Sequence, residues 1–353
     1  MKTAYLRFKE CNTNEAKEEN FRNVGNNSGN IVFDYSLMNT IKCTPIEVSD
    51  LEKRAWEFDN LVVRDFIWLR EDTDMSYFRR VMDLFKDKAI IPISAGLQSE
   101  IYNPHFKLHK NTIRILKELE EKAQIAVRGE YTAEIFNKHG IKNIRIVGCP
   151  SMYLGANYDR KIVEDRNNFL EKGILANYKT LSKELNTDVD VNILHYFIQK
   201  SNYFMEQTRC YLPDELRKNQ YKEFMPVYVK KRTMFFVFED WYKFCLDKGF
   251  SIGARFHGNV VPILAGVPAL FIIFDSRTKE LTDYFNFPTI DVSEFETSKP
   301  IEYYYELADY SKFNKTYPEK LDNFIDFCLN NNLELNSGME KFFFRKLELL
   351  RRL

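Results

Sequence analysis

The chain has 353 residues, 44% of them hydrophobic and 15% aromatic, which is more than one core usually serves, so two domains are the starting expectation. Its 51 basic and 51 acidic residues cancel, which removes any broad field for nucleic acid, so selectivity for an anion must be local. Six cysteines, Cys11, Cys43, Cys149, Cys210, Cys245 and Cys328, show neither a C-x-x-C pair nor a histidine at ligand spacing, and the acidic residues lack metal-ligand spacing, so reduced thiols and no metal are expected.

The N-terminus has no charged-then-apolar leader, and no run approaches the roughly 18 apolar residues of a membrane helix, so the expected location is cytoplasmic. An aromatic and basic amphipathic stretch at 341–352 would serve docking onto a domain first and contact with the inner membrane face second. Ala4–Phe8 is a candidate strand, and the Gly- and Asn-rich segment with Gly25, Asn26 and Asn27 precedes an apolar-periodic stretch, Ile31–Met38. That is where α/β proteins put a ligand-facing loop, although it is not a G-x-G-x-x-G and an ordinary turn fits equally.

Strand and helix signals then alternate. Cys43–Val48 and Leu61–Leu69 are strand-like, Met75–Phe85 is an amphipathic helix, and Ala89–Ile93 is a buried strand that runs into Ser94, Gly96 and Gln98. Asn111–Lys122 and Thr132–Lys138 follow as helices, Gln124–Val127 and Ile144–Val147 as strands, a repetition that predicts a largely parallel sheet. Arg128 stands at a strand end before a Gly turn and a helix. Cys149-Pro150-Ser151 is read as a structural turn, because no histidine lies near the cysteine in sequence.

From 156 to 240 the signals weaken: Asp165–Leu175 and Tyr178–Leu185 look helical, Val189–Ile198 suits a strand or a helix, and Arg209–Leu212 and Met225–Val229 suit short strands. The aromatics Tyr196, Phe197, Tyr203 and Phe204 are assigned to core packing rather than to sugar stacking. Val237–Leu246 is an amphipathic helix leading into the most informative stretch. There a short apolar approach delivers Arg255 and His257 to a turn marked by Gly258, Asn259–Ala265 forms a helix closed by Gly266, and Ala269–Phe274 is a continuous apolar strand ending in Asp275, Ser276 and Arg277. A permanent cation, an imidazole and free backbone N–H groups at one helix start make an anion site. Thr289–Val292 is a further strand, and Ile301–Tyr310, Tyr317–Asn330 and Gly338–Arg352 are further helices.

Gly253-Ala254-Arg255-Phe256-His257-Gly258, the turn Gly266-Val267-Pro268 and Asp275-Ser276-Arg277, preceded by Val127-Arg128-Gly129-Glu130, Gly140-Ile141 and Gly148-Cys149-Pro150-Ser151, resemble two ordered motifs of the polysaccharide pyruvyl transferase family. The loop at 23–30 and the turn with Gly96 and Gln98 are similar to family loops too, and where that family carries a lysine this chain has Arg277. The resemblance implies an α/β fold of two Rossmann-like domains facing across a cleft, like the GT-B glycosyltransferases. Residues 1–155 would be the acceptor side and contribute Arg128, 156–316 would carry the R-x-H and D-S-R motifs, and helices within 317–353 would pack back on the first domain.

It also implies transfer of an enolpyruvyl-derived unit from phosphoenolpyruvate to hydroxyls of a glycan or lipid-linked sugar, with phosphate released and no cofactor beyond the donor itself. The carboxylate and phosphate of that donor suit forked guanidinium groups. Arg128, Arg255 and Arg277 are the expected clamp, with Ser276, Gly258 and a secondary cation in Lys279, while His257 is the expected acid or base and Arg255 its catalytic companion. Gly25, Asn26, Asn27, Gly96 and Gln98 are candidates for the acceptor side. A sugar-nucleotide glycosyltransferase and an inactive glycan-binding homologue are the rival expectations.

Overall fold

The computed structural model describes residues 1–11, 16–64, 66–99, 102–180, 188–208 and 224–336. The expected strand at Arg209–Leu212, most of the helix at Tyr178–Leu185, the helix at Gly338–Arg352 and Cys210 lie outside them. Among the described residues no helix is long and apolar enough to cross a membrane.

Two parallel sheets organise the chain. The first joins β1 (Thr3–Leu6), β2 (Thr44–Ile46), β3 (Asn60–Val63) and β4 (Ala89–Pro92) in the order β2-β1-β3-β4. β5 (Ile125–Val127) and β6 (Ile144–Ile146) pair with each other and continue that sheet, because Ala95, just past β4, bridges Val127 in parallel. The second sheet holds β7 (Ile174–Asn177), β8 (Tyr203–Met205), β9 (Arg232–Thr233), β10 (Phe250–Gly253), β11 (Ala269–Ile273) and β12 (Thr289–Asp291), ordered β12-β11-β10-β7-β8-β9. Each sheet is doubly wound. The order reverses between β1 and β3 in the first and between β7 and β10 in the second, and such reversals open crevices at strand carboxyl ends.

The central strands β7, β10 and β11 are buried along their whole length, as strands covered on both faces must be. After β12 the chain returns to the first half through the helix Ser311–Asn330. Tyr317 donates to the Met152 carbonyl (2.8 Å), Asn323 binds Arg145, and Asn331 accepts from the Gln124 N–H (2.9 Å).

Several elements differ from the sequence expectation. In place of one helix over Asp165–Leu175 there is a single turn, Phe169–Lys172, ended by Gly173 at φ +87°, after which β7 begins. Met225–Val229 lies in a helix, Phe224–Lys231, although β-branched and aromatic residues suit a strand, because Phe224 and Tyr228 fall on one buried helical face. Val189–Ile198 is helical within Asp188–Lys200, and the strand at Leu61–Leu69 stops at Val63. Asp275, read as part of a strand end, is the N-cap of an unforeseen helix, Ser276–Phe285, its carboxylate accepting from Thr278 N–H at 2.7 Å.

Candidate functional site

The helix Phe256–Leu264 starts at the second sheet's reversal point, with Arg255 as its N-cap. Gly253 at φ +154° has no room for a Cβ against the Asn177 carbonyl oxygen. Asn177 then fixes the loop, its Oδ1 accepting the Arg255 N–H (2.7 Å) and its Nδ2 donating to Asn259 Oδ1 (2.8 Å). This places His257 in the first turn with its two nitrogens in different surroundings. Nε2 lies 3.1 Å from Ser151 Oγ and 3.8 Å from Cys149 Sγ, and the thiol donates to Ser151 Oγ at 3.3 Å. On the other side, a Cβ placed on Gly29 would sit 3.0 Å from Nδ1 and 2.8 Å from Gln207 Oε1, so Nδ1 looks toward Gly29 and Gln207.

The structure thus corrects the isolation assumed for Cys149. It does begin a turn, a 3-10 segment from Pro150, but its thiol is buried against the imidazole of a residue more than a hundred positions later. Burial pushes this thiol up, against the opposing pull of Ser151 and Arg128, so it stays protonated.

Arg128 and Arg277 are the cations that act on this imidazole. Burial first, then the charges of Arg128 and Arg277, push His257 down to about 3. The residue is only partly buried, so its neutrality at pH 7 is the consequence that counts. Arg128 is 5% exposed, and burial followed by repulsion from Arg277 lowers it to about 10. Its Nε reaches Ser94 Oγ at 3.3 Å, a serine held at φ +61°, while its Nη1 is buried with no hydrogen-bond partner among the described residues. Gly96 lets the aliphatic stem pass, since a Cβ there would meet Arg128 Cδ at 2.5 Å.

Arg255 is bonded within the second half. Its Nε donates to the Tyr178 carbonyl (3.3 Å) and its Nη2 to Thr208 Oγ1 (3.4 Å), near buried Glu206, whose carboxyl is pushed up by burial and pulled back by Tyr228, Thr180 and Arg255. Arg277, the third arginine of the expected clamp, lies 3.7 Å from the Asp275 carboxylate, while Arg255 is engaged along β7 and β8.

The helix Ser276–Phe285 also joins the two halves. Glu280 accepts from Thr132 N–H (2.6 Å) and Thr132 Oγ1–H (2.9 Å) at the start of the helix Glu130–Lys138, and Gly129 leaves no space for a Cβ beside Glu280 Cγ. Burial pushes this carboxyl up to about 7 against those hydrogen bonds and Arg128. Ser276 exchanges hydrogen bonds with Ser99 (3.0 Å each way), and Lys279 pairs with Asp283 at 2.9 Å.

Of the loop candidates, Gly25 and Asn26 form a left-handed turn (φ +60° and +62°), and Asn27 Oδ1 accepts the Gly29 N–H. Gln98 binds the Leu69 carbonyl through its backbone N–H, and Gly258 packs without a Cβ against Asn177 and Gln207. Gln207 and Glu280 carried no sequence signal, and Ser151 only that of a motif turn, because each becomes part of the site through a residue in a distant segment.

A sequence model of the polysaccharide pyruvyl transferase family matches residues 55–276. No curated protein sequence matches the chain. Among solved structures, S. aureus MnaA bound to UDP is 11% identical, with 94% of this chain and 98% of that one aligned at a TM-score of 0.45. Anabaena HepE with UDP and glucose is 9% identical, with 99% of each aligned at 0.43. An uncharacterised Klebsiella pneumoniae protein is 14% identical, with 82% and 92% aligned at 0.42. The family match spans more than half of the sequence, and the chain belongs to the polysaccharide pyruvyl transferase family.

Proposed function

We propose that this family member transfers the enolpyruvyl-derived unit of phosphoenolpyruvate to two hydroxyls of a glycan or lipid-linked sugar. Two C–O bonds form at C2 of the donor and the bond from C2 to the phosphate oxygen breaks. One hydroxyl proton ends on C3, making the methyl group, and the other leaves with phosphate. The donor carries a carboxylate and a phosphate, and Arg128 and Arg277 are its proposed clamp, with His257 moving the protons and Arg255 holding the loop that presents His257.

The observation that carries this reading is the buried Arg128, whose Nη1 has no hydrogen-bond partner among the described residues. An unpaired buried donor costs about 1–3 kcal/mol, more when charged, so an anion that fills the vacancy gains that energy back. Phosphoenolpyruvate is made in the cytoplasm, which is where this reading puts the enzyme, at the inner membrane face when the acceptor is lipid-linked. The test is phosphate release from phosphoenolpyruvate against β-galactosyl, mannosyl and N-acetylhexosaminyl glycans, with UDP-sugars as controls. Release with at least one glycan and no response to UDP-sugars is expected; the reverse pattern would assign a glycosyltransferase.

A further inference from the structure

Cys149 and Ser151 lie against the Nε2 of His257 on one side of the imidazole. The other side is built differently. Gln207, 2% exposed, is wedged between Gly29 and Gly258, where any Cβ would come within 2.8 Å of its amide oxygen or 2.7 Å of its amide nitrogen. Gln207 Nε2 and the fully buried Ser28 Oγ have no hydrogen-bond partners among the described residues. They come from opposite halves of the molecule and are tied together by the Ser28 N–H donating to the Gln207 carbonyl at 2.8 Å. Both are neutral, as are Asn27 and Asn177 around them, while the nearby Glu206 is engaged by Thr180 and Tyr228 and Arg255 by Tyr178 and Thr208. Two neutral groups left unsatisfied beside a neutral imidazole suit hydroxyls rather than an anion.

We infer that Ser28, Gln207 and the Nδ1 of His257 form the subsite that holds the two reacting hydroxyls of a pyranose acceptor. This inference rests on the pyruvyl-transfer reading above. In the tautomer whose Nε2–H donates to Ser151 Oγ, Nδ1 is the nitrogen that takes the first hydroxyl proton as that oxygen bonds to C2. Gln207 Nε2 donates to one hydroxyl oxygen and Ser28 Oγ pairs with the other. Because Ser28 belongs to the first half and Gln207 to the second, the acceptor is held by both halves at once.

The experiment is saturation-transfer NMR on the full chain with methyl β-galactopyranoside, methyl β-mannopyranoside and methyl N-acetyl-β-glucosaminide, each with phosphoenolpyruvate, on wild type, Ser28→Ala and Gln207→Glu. Thermal melting reports whether each variant folds, and Ser28→Ala, which removes one atom, carries the test if Gln207→Glu does not. At least one glycoside is expected to bind wild type and to weaken on the order of fivefold to tenfold in each folded variant, with phosphoenolpyruvate affinity within about twofold. Unchanged glycoside affinity in the variants overturns the subsite, as does equal weakening of phosphoenolpyruvate, which would hand this space to the donor. A wild type that binds phosphoenolpyruvate but no glycoside also overturns it. If phosphoenolpyruvate fails to bind while a glycoside still depends on Ser28 and Gln207, the subsite stands and the donor reading falls.

Discussion

Arg128 follows β5 in the first half and Arg255 follows β10 in the second, each just ahead of a helix, and the sequence treats them alike. Their surroundings differ. The Arg255 guanidinium is bonded to Tyr178 and Thr208, with Glu206 nearby, whereas buried Arg128 has one serine oxygen at its Nε and, among the described residues, no partner at its Nη1. An arginine whose donors are already spent on its own fold is a brace. One that is desolvated and incompletely paired is poised for a ligand, because its unmet hydrogen bond is made good only by something from outside.

The largest effect expected sets the scale for that contrast. His257→Ala should lower turnover by about 10²–10⁴, the usual worth of a positioned acid or base, in a phosphate-release assay with the melting temperature preserved. Arg128→Ala should come next, raising the phosphoenolpyruvate Kd by about 30- to 150-fold, and Arg128→Lys should recover only part of this, lacking the fork. Arg255→Ala should change donor affinity by less than about fivefold while lowering the melting temperature by several degrees. Equal donor effects at the two positions would erase the distinction.

A finer probe is the imidazole itself. His257 is held down to about 3 in part by the charges of Arg128 and Arg277, so a bound dianion that offsets them should raise its pKa. Titration by NMR should show that rise with phosphoenolpyruvate in wild type and in Arg255→Ala, and not in Arg128→Ala, which no longer holds the donor. The smallest effect concerns the joint between the halves. The Glu280 carboxyl, pushed up to about 7, favours its neutral form in the folded protein. It therefore costs nothing below its ordinary range near 4.5 and takes away stability as pH rises from there to about 7. Glu280→Gln should flatten that part of the melting-temperature curve by a few degrees, and an unchanged slope would remove Glu280 from the coupling.

The sequence by itself determined the parts that depend on neighbours along the chain. Ala269–Ile273 is a central strand because every residue in it is apolar, Arg255 and His257 meet at a helix start because a glycine-bearing strand end precedes them, and Arg128 occupies an equivalent place by the same logic. Such features follow from backbone periodicity, turn chemistry and helix capping, which act over a few residues. Tertiary structure decided that Arg128 keeps a buried nitrogen without a partner among the described residues, that Cys149 and Ser151 press on the imidazole, that Gln207 wedges beside it, and that Ser276 and Glu280 bond to the opposite half. Those outcomes depend on desolvation and on hydrogen-bond partners from segments tens to more than a hundred residues away, and no local pattern encodes which segments will meet.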